Sequence, residues 1–207
     1  MVSFYATVLV VTRPWNINIH YDALLDARVP AGAQRVLDVG TGDGFLAARL
    51  AQRVPTVIAV DVDGPVLERA RARFPTAPVT WVNDDVMDAK FAPGDFDAVV
   101  SNATLHHLND TRAALRRLAS LLAPGGTLAV VAFVRTTVPD LPWQATAFIC
   151  RGIVQRIRGN WRHSAPMVWP PHDTLRQLRQ HAQAQLPGAR IRRLPYGRVL
   201  ITWTARQ

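Results

Sequence analysis

Between Arg35 and Val134, five short apolar runs are separated by stretches with helical spacing: RVLDV (35–39), TVIAV (56–60), PVTWV (78–82), FDAVVS (96–101) and GTLAVVAFV (126–134). The runs are rich in β-branched residues and bounded by turn residues, the pattern of strands buried on both faces. Between them, FLAARLAQRV places Leu46, Leu50 and Val54 on one helical face, and PVLERARARF carries Pro65 at a first-turn position. TRAALRRLASLL is capped by Asp110 or Thr111 and stopped by APGG. Strand–helix alternation at these lengths predicts βαβ units and a parallel sheet.

After Val134 the rhythm changes. LPWQATAFICRGIVQRIRG reads as an amphipathic helix with arginines on one side, NWRHSAPMVWPP as an aromatic, proline-rich loop, and DTLRQLRQHAQAQL as a helix capped by Asp173. ARIRRL and RVLITWTAR are strands joined by PYG, a reversal that sets the last strand antiparallel to its neighbour. NINIHYDALLDA forms a helix ahead of the first strand. The expected fold is α/β, a doubly wound, Rossmann-like, seven-stranded sheet. It is mostly parallel with an antiparallel last strand, and helices cover both faces.

A chain of 207 residues suits one domain and one hydrophobic core. We divide 1–207 into an N-terminal segment with one helix (1–34), a strand–helix core (35–134) and a final segment of helices and the last strands (135–207). Residues 1–139 hold 13 basic and 13 acidic residues, whereas 140–207 hold 11 arginines and 2 acids, so the whole excess of +9 lies in the last third. Such a region attracts nucleic acid, anionic lipid or an acidic substrate, or is simply a solvated surface. No uninterrupted basic run accompanies it. The single cysteine, Cys150, fits a reducing cytoplasm, and no apolar run approaches the ~20 residues of a membrane span. The apolar start of the chain has no basic leader before it, so a soluble protein without a cleaved leader is expected.

The first strand runs into VLDVGTGDG (36–44). Gly40, Gly42 and Gly44 permit positive φ and close approach of a ligand to the backbone. Asp61 ends the second strand about 20 residues on, where an acid can accept both ribose hydroxyls. The loop is GxGxG, neither the GxGxxG of dinucleotide binding nor the GxxxxGK[ST] of phosphate loops. Asp38 and Asp43 would repel pyrophosphate and suit a cation, such as a sulfonium with an ammonium group.

VLDVGTGDGFLAARLA, VIAVDVDGPVLERAR, VNDDVMDAKFAPGDFDAVVSNATLHHLND and LLAPGGTLAVV, in that order, resemble the successive motifs of class I S-adenosylmethionine-dependent methyltransferases over Arg35 to Phe133. The ubiquinone-type and small-molecule branches are closest, through SNATLHHL. The flanks are similar to those of a small bacterial methyltransferase group. The resemblance implies S-adenosyl-L-methionine as cofactor and S-adenosyl-L-homocysteine as product. Gly40, Thr41 and Gly42 then lie against its amino-acid part, and Asp38 orients its ammonium group. Asp61 takes the ribose, Val62 covers the adenine, and Asp85, with Val86 beside it, takes the adenine amino group. Asp84 competes with Asp85 for that role. Ser101 and Asn102 end the fourth strand near the sulfonium, and Tyr21 closes over the cofactor with His20 beside it.

Methyl transfer needs in-line placement more than a base, because the cofactor carries the activated group. Where the acceptor must lose a proton, His106 is the first candidate catalytic residue, followed by His107 and His163; helix capping or plain packing is the alternative. SNAT departs from the [DN]PP[YF] of many nucleic-acid amino-methyltransferases, so a small organic acceptor leads, aromatic or anionic. Trp143, Trp161, Met167 and Trp169 are candidates to line its pocket or to serve as core. An RNA or protein acceptor docked on the basic third, or a cofactor-binding protein without catalysis, are the alternatives.

Overall fold

The computed structural model describes residues 14–161 and 169–206. His163, Met167 and the apolar start of the chain lie outside the described residues. The five expected strands form β1 (Arg35–Val39), β2 (Thr56–Asp61), β3 (Val79–Asn83), β4 (Phe96–Asn102) and β5 (Leu122–Ala132), followed by β6 (Arg190–Leu194) and β7 (Arg198–Thr204). They make one seven-stranded sheet in the order β3-β2-β1-β4-β5-β7-β6. β1 to β5 pair in parallel, and β7 runs antiparallel between β5 and β6. The strand order reverses beside β1, and a crevice at the carboxyl ends of the strands is expected there.

The alternation of side chains along each strand divides the core in two. One face carries Val36, Val57, Ala98, Val100 and Ala129, packed with Leu25 of α1 (Ile17–Asp26) and Leu50 of α2 (Phe45–Leu50). The opposite face carries Leu37, Ile58, Val99, Leu128 and Ile201, packed with Leu115 of α4 (Thr111–Ser120) and Leu178 of α6 (Leu175–Gln185). Helix α3 (Gly64–Arg73) packs on β2 and β3. Asp110 caps α4 by accepting the N–H groups of Arg112 and Ala113.

Two local expectations are corrected. The cap of α6 is Thr174, not Asp173: Thr174 and Gln177 form a reciprocal capping box, and Asp173 instead faces the His181 ring at 3.1 Å. Helix α5 (Leu141–Arg158) does not segregate its arginines from an apolar buried face; Phe148, Ile149, Ile153 and Ile157 are exposed, whereas Arg151 lines the central cavity.

Candidate active site

A cavity of about 980 Å³ opens over the carboxyl ends of the parallel strands. The antiparallel course of β7 brings its first residue, Arg198, to the same end, because Val199 is paired with Ala132 at the end of β5.

The glycine loop forms the floor. Gly40 and Thr41 donate their N–H groups to the Val60 carbonyl, which ties the loop to β2. Gly40 has φ +67°, and a Cβ there would fall 2.1 Å from Thr104 Oγ1. Gly42 has φ +54° but meets nothing within 4 Å, so its backbone is open to the cavity. Asp38 is buried beneath the loop and accepts the Thr41 hydroxyl at 2.7 Å. Burial pushes its carboxyl up to about 7, against the Thr41 bond, with Asp61 adding to the rise.

Asp61 accepts the Gly42 N–H at 2.8 Å on one oxygen and the Asp63 N–H at 3.0 Å on the other. Each oxygen keeps a further acceptor direction. Val62 beside it lines the cavity and is 66% exposed, and Val86 forms buried wall opposite. Asp85 accepts the Met87 N–H at 2.9 Å, and Asp84 accepts the Asp85 N–H at 2.8 Å; both line the cavity.

Asn102, at the end of β4, donates to the Asn18 carbonyl at 2.8 Å and to Asp22 Oδ1 at 2.9 Å. Its Oδ1 is buried and has no partner among the described residues. Asp22 is itself buried, and burial, with Asp38 nearby, pushes its carboxyl up to about 8 despite the Asn102 bond.

Above β4, β5 and β7 the chemistry changes. His106, in the short helical turn Leu105–His107, is buried with its ring 4.7 Å from Phe133 and 4.2 Å from His107. Its Nδ1 has no partner among the described residues. Burial lowers its pKa to about 3, helped by His107, Arg198 and His172, so the imidazole is uncharged at neutral pH. Arg198 is buried with its guanidinium 3.4 Å from the Phe133 ring centroid.

Of the residues expected to bind the cofactor, together with His106, all but Tyr21 and Ser101 line this cavity. Tyr21 is buried in the packing of α1, where its hydroxyl donates to the Pro195 carbonyl, so it ties α1 to the β6–β7 turn instead of closing over the cavity. Ser101 points into the sheet and donates to the Val39 carbonyl at 2.9 Å. His20 is exposed against Trp15 and Tyr196. Trp169 lines the cavity near Phe133, whereas Trp161 lines it on the other side, against Phe45 and under Arg73. Trp143 is not in the wall; it donates to the Leu194 carbonyl at 3.1 Å and packs against the core. Asp22, Thr104, Arg151 and Arg198 were not singled out from sequence. An acid on the apolar face of NINIHYDALLDA and an arginine opening an apolar strand are the signals by which the first and last could be found.

Residues 37–130 match the model of a family described as a methyltransferase domain. A relative named "uncharacterized methyltransferase" from Mycobacterium tuberculosis is 60% identical over 193 residues, 93% of this chain and 98% of the relative. A demethylmenaquinone methyltransferase from Roseiflexus castenholzii is 28% identical over 163 residues, 74% of this chain and 68% of that protein. Among solved structures, the phosphoethanolamine N-methyltransferase 2 of Haemonchus contortus, in complex with phosphomonomethylethanolamine and S-adenosylhomocysteine, superposes with a TM-score of 0.65 at 18% identity, over 93% of this chain and 53% of that one.

Proposed function

The chain belongs to the class I S-adenosylmethionine-dependent methyltransferases, and from that premise we propose that it methylates a small organic acceptor held in the part of the cavity above β4, β5 and β7. The single observation that carries this reading is the change of lining within one cavity. Carboxylates lie above β1, β2 and β3, and beyond Asn102 come His106, Phe133, Trp169 and Arg198.

The residues present fit the cofactor. The donor-poor, acceptor-rich end offers Asp38, Asp61, Asp85 and the unpartnered Oδ1 of Asn102. The open backbone at Gly42 leaves room for close approach. In this reading Asp38 and Asn102 hold the ammonium group, Asp61 the ribose hydroxyls, Val62 the adenine face and Asp85 its amino group. When bound, S-adenosylmethionine supplies a methyl group on a sulfonium; the acceptor's lone pair forms the new bond while the S–C electron pair stays on sulfur. The protein's work is then orientation and exclusion of water. Phe133, Trp169 and the buried His106 wall the acceptor end with apolar surface. His106 lines the cavity, and its uncharged imidazole is the group to accept a hydrogen bond from an acceptor O–H or N–H and to take the proton where methylation requires one to leave.

No described helix is long and apolar enough to cross a membrane. The single exposed cysteine is consistent with a proposed cytoplasmic location. Incubation of the protein with methyl-labelled cofactor and a cell extract, followed by separation into small molecules, RNA and protein, tests the reading. Label in the small-molecule fraction is expected. Label confined to RNA or protein would replace it with a macromolecular acceptor docked on the basic third.

A further inference from the structure

We infer that Arg198 is the anion-recognising residue of the acceptor subsite, and that the acceptor carries a carboxylate. The inference deepens the small-molecule reading and rests on it.

Arg198 opens β7 and lines the cavity, yet it is only 6% exposed. A buried guanidinium is costly unless it is paired and its donors are bonded. Its partners here are weak. The Tyr196 carbonyl and Asn18 Oδ1 each lie at 3.4 Å, and Nε has no partner. The Phe133 ring provides a cation–π contact on one face. No carboxylate among the described residues forms an ion pair with it, and the segments outside them, 1–13, 162–168 and 207, contain no Asp or Glu. Burial and the nearby Arg151 lower its pKa to about 9, still above neutrality, so the group is charged in use.

A planar guanidinium with free donors matches the two oxygens of a carboxylate. One buried cation balances one negative charge; Arg151, the other arginine of the wall, is only half-buried on α5. A doubly charged phosphate would leave one negative charge unbalanced in the cavity. The opposite polarity of the two ends sorts the ligands: a cationic cofactor over the acids and an anionic acceptor at Arg198.

The test titrates the wild-type protein, with and without S-adenosylhomocysteine, with benzoate against benzamide and cinnamate against cinnamamide, and repeats it on Arg198→Met and Arg198→Lys. The acids are expected to bind about tenfold more tightly than the amides, the ratio a charge-assisted bond supplies. Arg198→Met should erase that preference and leave S-adenosylhomocysteine affinity unchanged within about twofold, and Arg198→Lys should retain part of the preference. Equal affinity of acid and amide for the wild type, or no binding of either at millimolar concentration, overturns the inference without any variant having to fold. So does an Arg198→Met protein that keeps the preference but binds S-adenosylhomocysteine more weakly, which would assign the guanidinium to the cofactor's own carboxylate. The titration involves no methyl transfer, so its failure is separate from label appearing in RNA or protein, which would sink the small-molecule reading instead.

Discussion

One carboxylate oxygen of Asp61 accepts the Gly42 N–H at 2.8 Å, so the acid at the end of β2 and the glycine loop after β1 hold each other in place. Asp61→Ala should therefore do two things. It removes the ribose acceptor, weakening cofactor binding by about 1–3 kcal/mol, and it frees the loop. Calorimetry with S-adenosylhomocysteine reads the first effect. Exchange of the Gly42 amide reads the second and should quicken in the variant even without ligand.

The two glycines of the loop should respond differently to alanine. Gly40→Ala combines a positive φ with a Cβ 2.1 Å from Thr104 Oγ1, so it should cost about 2 kcal/mol or more of stability, partly recovered by adding Thr104→Ala. Gly42→Ala meets no atom in the free protein, so beyond the positive-φ strain its effect should fall on ligand affinity. Denaturant unfolding and cofactor titration of the same variants separate the two.

Asp22 and Asp38 give a pH dependence of definite sign. Both carboxyls are raised above the ordinary 3.8, to about 8 and about 7. Between pH 4 and these values the folded protein holds protons that the unfolded chain has lost, so their contribution to stability falls as pH rises through that window. Asp22→Asn should lie progressively higher in Tm than wild type as pH is raised from 4 to 8, then run parallel to it. A bound ammonium group favours the ionised Asp38, so cofactor binding at pH 6 should release protons, measurable from calorimetric heats in buffers of different ionisation enthalpy.

His106 shifts the other way. Its lowered pKa, about 3 against 6.5, keeps it uncharged across neutral pH and makes stability rise with pH between those values. The pH–rate profile should have no limb near 6.5 from this residue. Where the acceptor must lose a proton, His106→Gln should reduce turnover roughly 100-fold while leaving S-adenosylhomocysteine affinity unchanged.

What the sequence makes legible follows from how contiguous each feature is. The β-branched runs define the buried strands because both faces of a doubly wound sheet must be apolar, and Asp38, Gly40, Gly42 and Asp61 fall within two βα turns. Asp22 and Arg198 escape because only the sheet order joins them to that loop: α1 folds back over β4, and β7 runs antiparallel to bring its first residue beside Phe133. Tyr21 reads as a lid residue only through the family resemblance. Asp22, the next residue and one helical step of about 100° around, does line the cavity, together with Ile17, Asn18 and Ile19 nearer the start of α1.

The most direct measurement of the account is a crystal structure of the protein with S-adenosylhomocysteine. It should place the ribose hydroxyls on Asp61, the amino group beside Asp38 and Asn102, the adenine against Val62, and the sulfur facing the His106 and Phe133 end of the cavity. A ligand bound outside this cavity, or one whose sulfur faces away from His106 and Phe133, would contradict it.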